Sequence, residues 1–340
     1  MHVANLLQID AVGKLFEFMI PIDSVDTNGK RNLSMRLDRF DLNLLVVLDA
    51  LLEDRNVTRA GERLHIGQSA VSAALKRLRD YFEDELLVPA GRRLEPTPLA
   101  QSLVAPVRDT LLRARAAISL RPSFDPAAAK NAFVICASDY TTSLWLARAV
   151  TELAVRAPGL RFDLRRPPAE IAETFERGDL DLIVLPEQYA RRLDHPQQEL
   201  LRDTHVCMVG ADHPLTAGAL TMERYFELGH VAVRLGDEAS LAFEEWFLPR
   251  YGRQRRVECT VDYFSALPQL IVGTQRIATL HERLARDMAR RFPVKLIPTP
   301  FEMSPLVEIM VWPRYRDQDP AHRWLRERVL EAAVDAAGYA

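Results

Sequence analysis

The chain has 340 residues, with 44 Lys and Arg against 47 Asp and Glu and a formal net charge of −3 at pH 7. That balance excludes a purely electrostatic coat for nucleic acid. The 3 cysteines, Cys136, Cys207 and Cys259, stand too far apart for metal-ligand spacing or a disulfide scaffold and read as buried reduced thiols of a cytoplasmic protein.

Residues 1–34 resist assignment. The mixed apolar stretch from Ala11 to Ile22 is interrupted by Lys14 and Glu17 and is too short to span a bilayer. It lacks the basic opening and small-residue cleavage site of a signal peptide, so 1–34 reads as a disordered extension or an over-called start. No other segment is a membrane-span candidate, and no membrane partner is expected.

Organised sequence begins at Met35. From Asp41 to Leu52 a broad apolar face (Leu44, Leu45, Val47, Leu48, Leu51, Leu52) predicts a helix. Val57 to Leu78 then reads as two short helices and a tight turn. Val57, Ala60, Gly61 and Leu64 share one face of the first, and Val71, Leu75 and Leu78 form a narrow stripe on the second. This is the outline of a helix-turn-helix. The alternative is an ordinary amphipathic helical hairpin. Thr58, in the first turn, suits a phosphate oxygen. Gly67 is expected to take a positive φ or to admit a close backbone. Gln68, Ser69 and Ser72 open the second helix, where such side chains hydrogen-bond base edges, with Lys76 and Arg77 for phosphates. The acidic run Asp80, Glu83, Asp84, Glu85 has no assigned role.

Leu86 to Leu94 predicts a β-hairpin, or wing, with Arg92 and Arg93 at its tip aimed at a minor groove or phosphate. An exposed turn is the alternative for that pair. Thr97-Pro98 is a helix start, with Thr as N-cap and Pro at the first helical position. Leu99, Leu103, Val107, Leu111, Ala114 and Ile118 continue one stripe to about Ser119, with a kink expected at Pro106. The stripe reads as a dimerisation helix, and burial on the C-terminal domain is the alternative. The plan is therefore a winged helix-turn-helix domain over 35–96, a linker helix over 97–120 and a hinge over 121–130.

Beyond it the texture alternates. Strands are expected at Phe133–Ala137, Leu160–Leu164, Leu182–Leu185, His205–Val209, His230–Val233, Arg256–Val261, Ile277–Leu280, Val294–Ile297 and Leu306–Val311. Helices are expected at Leu144–Arg156, Ala169–Arg177 and Pro320–Ala337. That predicts an α/β region with a largely parallel sheet, long enough for two lobes with a cleft between them. The lobes are expected to be 131–203 with 304–340, and 204–303. A nucleophile elbow, phosphate loop, dinucleotide fingerprint or zinc motif is missing: His281-Glu282 has no second His at helical spacing. A ligand-binding region without chemistry fits better than an enzyme, with no cofactor and no metal. A solute-binding protein, the other non-enzyme reading, would need an export signal and no DNA head.

On these features the chain, from about Met35 onward, resembles the LysR-type transcriptional regulators. The segment from Phe40 to Phe82, the wing LLVPAGRRLEPTP, and ASDYTTSLWL, GDLDLIVLPE, HVCMVGADHPL, ELGHVAV and VWPRYRDQDPAHRWLR are most similar to the NodD/NahR-like branch. Two departures are Gly67, where the family usually has Ser, and Gln68-Ser69-Ala70, where Pro often follows Gln. The resemblance implies a homodimer or homotetramer on bent promoter DNA. It implies effector lobes like those of type 2 periplasmic binding proteins, an aromatic inducer (flavonoid, salicylate-like acid or substituted phenol) in the cleft, and activation of RNA polymerase. It suggests an aromatic catabolic operon as target, with a nodulation-type flavonoid response or a repressor as alternatives. By the same match Ser138, Asp139, Tyr140, Thr141, Pro186, His230, Phe264 and Thr274 line the effector cleft. Tyr140 and Phe264 would stack on a ring, and His230 and Thr274 would hydrogen-bond it. The alternative for His230 is a satisfied core histidine, and for Phe264 plain core.

Overall fold

The computed structural model describes residues 40–90, 93–119, 123–168, 170–215, 220–234 and 252–338. The extension at 1–34, Arg92 at the wing tip, Ala169 and the start of the expected hinge at 121 and 122 lie outside the described residues. The chain divides into two compact units, one ending at Val104 and one beginning at Ala105.

The first unit packs three helices, α1 (Asn43–Asp54), α2 (Val57–Leu64) and α3 (Gln68–Phe82), and carries a two-stranded wing, β1 (Leu87–Ala90) antiparallel to β2 (Arg93–Pro96). Leu44, Leu48 and Leu51 of α1, Ala60 of α2 and Val71, Leu75 and Leu78 of α3 are buried. These are the stripes that a 3.6-residue period puts on facing sides. The acidic run acquires a role here. Asp84 accepts the Leu86 N–H and the Thr97 hydroxyl, both at 2.6 Å, and so ties the entry of the wing to its exit.

α4 (Pro98–Ser119) starts at the Thr97 cap, whose Oγ1 accepts the Ala100 N–H at 3.1 Å, and it runs through Pro106. Its stripe is not wholly left for a second chain. Val107 and Leu111 are already buried within this chain, while Ile118 is 79% exposed.

The second unit contains two five-stranded sheets. The first has the order β4-β3-β5-β12-β6, from β3 (Ala132–Ala137), β4 (Arg161–Arg165), β5 (Leu182–Pro186), β6 (Gln197–Asp203) and β12 (Leu306–Val311). The second has the order β11-β7-β10-β8-β9, from β7 (His205–Gly210), β8 (Gly229–Val233), β9 (Arg256–Val261), β10 (Ile277–His281) and β11 (Val294–Pro298). In each, four strands run in one direction and one runs against them, β12 in the first sheet and β7 in the second, so the largely parallel texture expected from sequence is interrupted by two antiparallel pairings per sheet. The reason is connectivity. The chain leaves the first sheet at Asp203, builds the second, and returns as β12, which slots in antiparallel between β5 and β6. β6 itself was missed, because QQELLRD has no clean alternation to mark it. Each sheet with its helices forms one lobe.

The helix that follows β3 also differs from expectation. It begins five residues early, α-helical at Asp139–Thr141 (α5), π-helical at Thr142–Leu146 and α-helical again at Ala147–Arg156 (α6). The Ser138 side chain caps it by accepting the Thr141 N–H at 3.2 Å. Elements used below are α7 (Ile171–Glu176), α8 (Glu187–Ala190), α9 (Met222–Glu227), α10 (Leu267–Ile271), preceded by a 3-10 turn at Phe264–Ala266, α11 (Glu282–Ala289) and α12 (Pro320–Gly338).

Cys136 and Cys207 are buried free thiols, pushed up to about 12 by burial. Cys259 is only half-buried, at the edge strand β9.

Candidate functional site

The candidate DNA-contacting surface is built locally. Asn56 precedes α2 in an extended conformation, and its Oδ1 accepts the N–H groups of Thr58 and Arg59 at 2.9 and 3.0 Å. Thr58 is therefore held exposed in the first turn. The positive φ expected at Gly67 falls instead on His65, at 55°, where α2 ends. Gly67 is extended, and the nearest atom to an added Cβ is Ser69 Oγ at 3.7 Å. The glycine that admits a close backbone is Gly61, where a Cβ would lie 2.9 Å from the Ile66 carbonyl. The tight turn packs on α2 because residue 61 has no side chain.

α3 leaves Gln68, Ser69, Ser72 and Lys76 exposed together on the side away from Val71, Leu75 and Leu78. Arg77 is exposed but lies 3.4 Å from Asp41. Arg79 turns inward and donates to the Glu85 and Leu87 carbonyls at 2.8 Å each, which fixes the wing to α3. Arg93 is exposed on β2.

The second site lies where the two lobes meet. Asp139, Tyr140 and Thr141 in the first turn of α5 reach across to three segments far away in sequence. The Asp139 carboxylate accepts the Ser265 N–H at 2.9 Å. The Tyr140 hydroxyl donates to Asp203 at 2.8 Å. The Thr141 hydroxyl donates to Glu308 at 3.0 Å. In the sheet Leu306 faces Asp203, while Glu308 faces Leu201 on one side and Pro186 on the other. With a side-chain period of two, Asp203 and Glu308 share one face of the first lobe's sheet. Tyr140, His281 and Phe264 form an aromatic group, with ring centroids 4.6 Å apart for Tyr140–His281 and 5.4 Å for Phe264–His281, and His205 lies 4.9 Å from His281. At the rim Arg166 stacks 5.1 Å from the Tyr263 ring.

Burial governs the electrostatics here. It pushes the Glu308 carboxyl up to about 7; the Thr141 bond pulls down and the Asp203 charge pushes further up. Asp203 is also raised by burial, against the hydrogen bonds of Tyr140, Thr204 and Arg283. His205 is lowered to about 4, and His281 well below its ordinary range, both chiefly by loss of solvent.

Ser138, Asp139, Tyr140, Thr141, Pro186 and Phe264 thus come together. His230 and Thr274 do not join them, which corrects the expected pocket. In β8, Val231 and Val233 join the cluster around Phe264, whereas His230 points to the opposite face. There its Nε2 lies 2.7 Å from the Tyr225 carbonyl and its ring 4.6 Å from that of Tyr225. Alternation along a strand makes one contact surface for His230 and Phe264 impossible. Thr274 closes a turn, donating to Ile271 O at 2.8 Å, in the wall of a separate cavity of about 420 Å³ that it lines with Arg224, Glu227, Arg256, Glu258 and Arg276. A second cavity, of about 290 Å³, has Arg283 and Trp145 in its wall.

Sequence reasoning missed Asp203, His205, His281 and Glu308 as members of a site. Glu308 left a signal, a single charge inside the apolar run LVEIMV whose every residue is buried. Asp203 left none, since it closes a strand of mixed polarity.

No helix among the described residues is long and apolar enough to cross a membrane. Residues 42–101 match the bacterial regulatory helix-turn-helix protein of the lysR family, and residues 127–334 match the LysR substrate binding domain. The chain is 39% identical over 299 residues to Nodulation protein D 2 of Rhizobium tropici, covering 88% of this chain and 95% of that one. It is 39% identical over 303 residues to Nodulation protein D 1 of a Bradyrhizobium strain, covering 89% and 96%. Among solved structures, a "probable transcriptional regulator" of Pseudomonas aeruginosa superposes with a TM-score of 0.56 at 32% identity, covering 86% of this chain and 97% of that one. Full-length OxyR of Pseudomonas aeruginosa has the same fold, with a TM-score of 0.60 at 17% identity over 86% and 94%.

Proposed function

The chain belongs to the lysR family of bacterial transcriptional regulators, and from that premise we propose that it is an inducer-responsive activator answering a small aromatic molecule. It is a DNA-binding regulator and not an enzyme. The observation that carries the effector reading is the junction itself. Two lobes meet over an aromatic group, Tyr140, Phe264 and His281, next to buried hydrogen-bonding carboxylates. A molecule that binds one arrangement of the lobes better than the other shifts their equilibrium by that difference in affinity.

In this reading α3 enters the major groove of promoter DNA in the cytoplasm. Gln68, Ser69 and Ser72 meet base edges, and Thr58, Lys76, Arg77 and the wing residue Arg93 meet phosphate. Homodimers or homotetramers present several copies of α3 at fixed spacing, which reconciles sequence-specific binding with a net charge of only −3. RNA polymerase is the partner on the promoter. A nodulation-type response is favoured over an aromatic-catabolic operon, because the relatives above carry the name Nodulation protein D.

The test is a footprint on the DNA upstream of the gene, with and without a panel of flavonoids, phenols and benzoates. Protection of a specific site, changed by one compound class, is expected, together with increased transcription. Unchanged DNA mobility at low salt sinks the reading, and decreased transcription makes the protein a repressor. Gln68→Ala should cost about 1–3 kcal/mol of specific binding and little non-specific binding. An equal loss of both would make Gln68 a positioning residue.

A further inference from the structure

Tyr140 belongs to one lobe by chain position and to the other by packing. Its ring is 1% exposed and lies within the second lobe's cluster around Phe264, Leu267 and Leu280. The ring meets His281 and Phe264 edge-on, with centroids 4.6 and 6.5 Å away. The hydroxyl donates to Asp203 Oδ2 at 2.8 Å. The lobe junction therefore already holds a phenol, walled by aromatic rings and anchored by a carboxylate at its polar end.

We propose that Tyr140 is an internal occupant of the effector site, and that a neutral phenol takes its place against Phe264 and His281 with Asp203 accepting the hydroxyl proton. The proposal rests on the effector reading above and narrows its ligand class.

Three further observations support it. The first is charge. Asp139, Asp203 and Glu308 all converge on the first turn of α5, and the Asp139 carboxylate already holds the Ser265 N–H. A carboxylate ligand would meet the like charges of Asp139 and Asp203, with Glu308 adding to them only as pH rises through about 7, whereas a phenol brings a donor to an acceptor. The Arg283 guanidinium does not reverse this balance. Its Nε lies 3.9 Å from Asp203, and it also donates to the carbonyls of Arg202 and Ala336 at 3.4 and 3.3 Å.

The second is the state of the plug. Burial, then the charges of Asp203 and Glu308, push the Tyr140 hydroxyl far above its ordinary range, so it keeps its proton and donates. A neutral phenol in its place would do the same. The third is the π turn at Thr142–Leu146, directly after the plug. Such turns carry an extra residue and recur at functional sites. Relaxing this one to α register would rotate Tyr140 by about 100° relative to α6, at 3.6 residues per turn. That is a route out of the junction without melting the helix.

The experiment uses the full chain and measures binding of 4-ethylphenol and 4-ethylbenzoate, by calorimetry and thermal shift, to wild type, Tyr140→Phe and Asp203→Asn. The phenol is expected to bind wild type in preference to the benzoate. Tyr140→Phe keeps the ring in the core but releases Asp203, so the phenol should bind it about tenfold tighter, the yield of a freed hydrogen bond to a charged group. Asp203→Asn should reduce the phenol-over-benzoate preference at least severalfold. Benzoate binding wild type as tightly as phenol overturns the proposal, as does a phenol affinity that Tyr140→Phe leaves unchanged. Either result leaves the effector reading standing. If neither compound, nor a wider set of flavones and salicylates, shifts the wild-type Tm, both readings fall.

Discussion

The helix-turn-helix is shaped by residues close in the chain: Asn56 caps the start of α2 through Thr58 and Arg59, and in the turn between α2 and α3 the Ile66 N–H reaches Gly61 O. The lobe junction is shaped by pairs 63, 126 and 167 positions apart: Tyr140–Asp203, Asp139–Ser265 and Thr141–Glu308. A locally encoded site holds its shape whenever its own segment folds. A site assembled from distant segments is tied to the arrangement of the elements carrying them, so it can respond when that arrangement shifts. The first arrangement suits reading a fixed DNA sequence, the second sensing a molecule.

The contrast can be broken most forcefully at Gly61. With the Ile66 carbonyl 2.9 Å from any added Cβ, Gly61→Val must displace backbone. It should cost up to about 3 kcal/mol, the range of overpacking. DNA binding and hydrogen-exchange protection of α2 and α3 should fall together, while exchange of β3, β5 and β12 stays unchanged. Loss of protection in both units would show that the helix-turn-helix is not locally held.

Next in size is Glu308→Gln. The folded pKa of Glu308, about 7, lies above the ordinary 4.5, so the native state binds an extra proton between those values. Its contribution to stability is present below 4.5 and is lost as pH rises through 7. His205, His230 and His322, lowered to about 4 from 6.5, act oppositely, and their contribution is lost as pH falls from 6.5 through 4. Glu308→Gln removes only the first slope. At pH 8 the variant should be more stable than wild type by on the order of 2 kcal/mol, shrinking towards pH 4.5. Denaturant titrations at pH 5, 6.5 and 8 read this directly, and parallel curves for the two proteins would remove Glu308 from the electrostatic account.

The smallest effect belongs to Gly67→Ser. The position is extended, open to a Cβ, and caps α3 without a side chain. A serine hydroxyl there should add a few tenths of a kcal/mol. A measurable loss of stability would mean that Gly67 is needed for its backbone after all.

Legibility in the sequence followed contact range. The strand Arg256–Val261 and the helix from Pro98 to Ser119 were readable because alternation, stripe spacing and a Thr-Pro start are local signals. The sheets' antiparallel pairings were not, because β6 lacks alternation and because nothing in LVEIMV says which neighbours β12 will find. At the candidate effector site, the family resemblance points to Tyr140, Phe264 and His230; the first two meet, whereas His230 faces the other side of its sheet. A strand's pattern tells which residues share a face, but it does not tell which face meets the other lobe.

By itself, then, the chain's sequence determined its class. Two helical stripes three and four apart, a Thr-Pro helix start and alternating apolar runs are local signals, and they point to a winged helix-turn-helix and an α/β body. That Gly61 rather than Gly67 carries the tight turn follows from where the chain places the Ile66 carbonyl, 2.9 Å from any Cβ at residue 61, a position the glycine pattern alone does not reveal. Tertiary structure alone decided that Tyr140, Asp203 and Glu308 share one buried junction, since the energies of desolvation and hydrogen bonding that define it exist only once β6, α5 and β12 have been brought into contact.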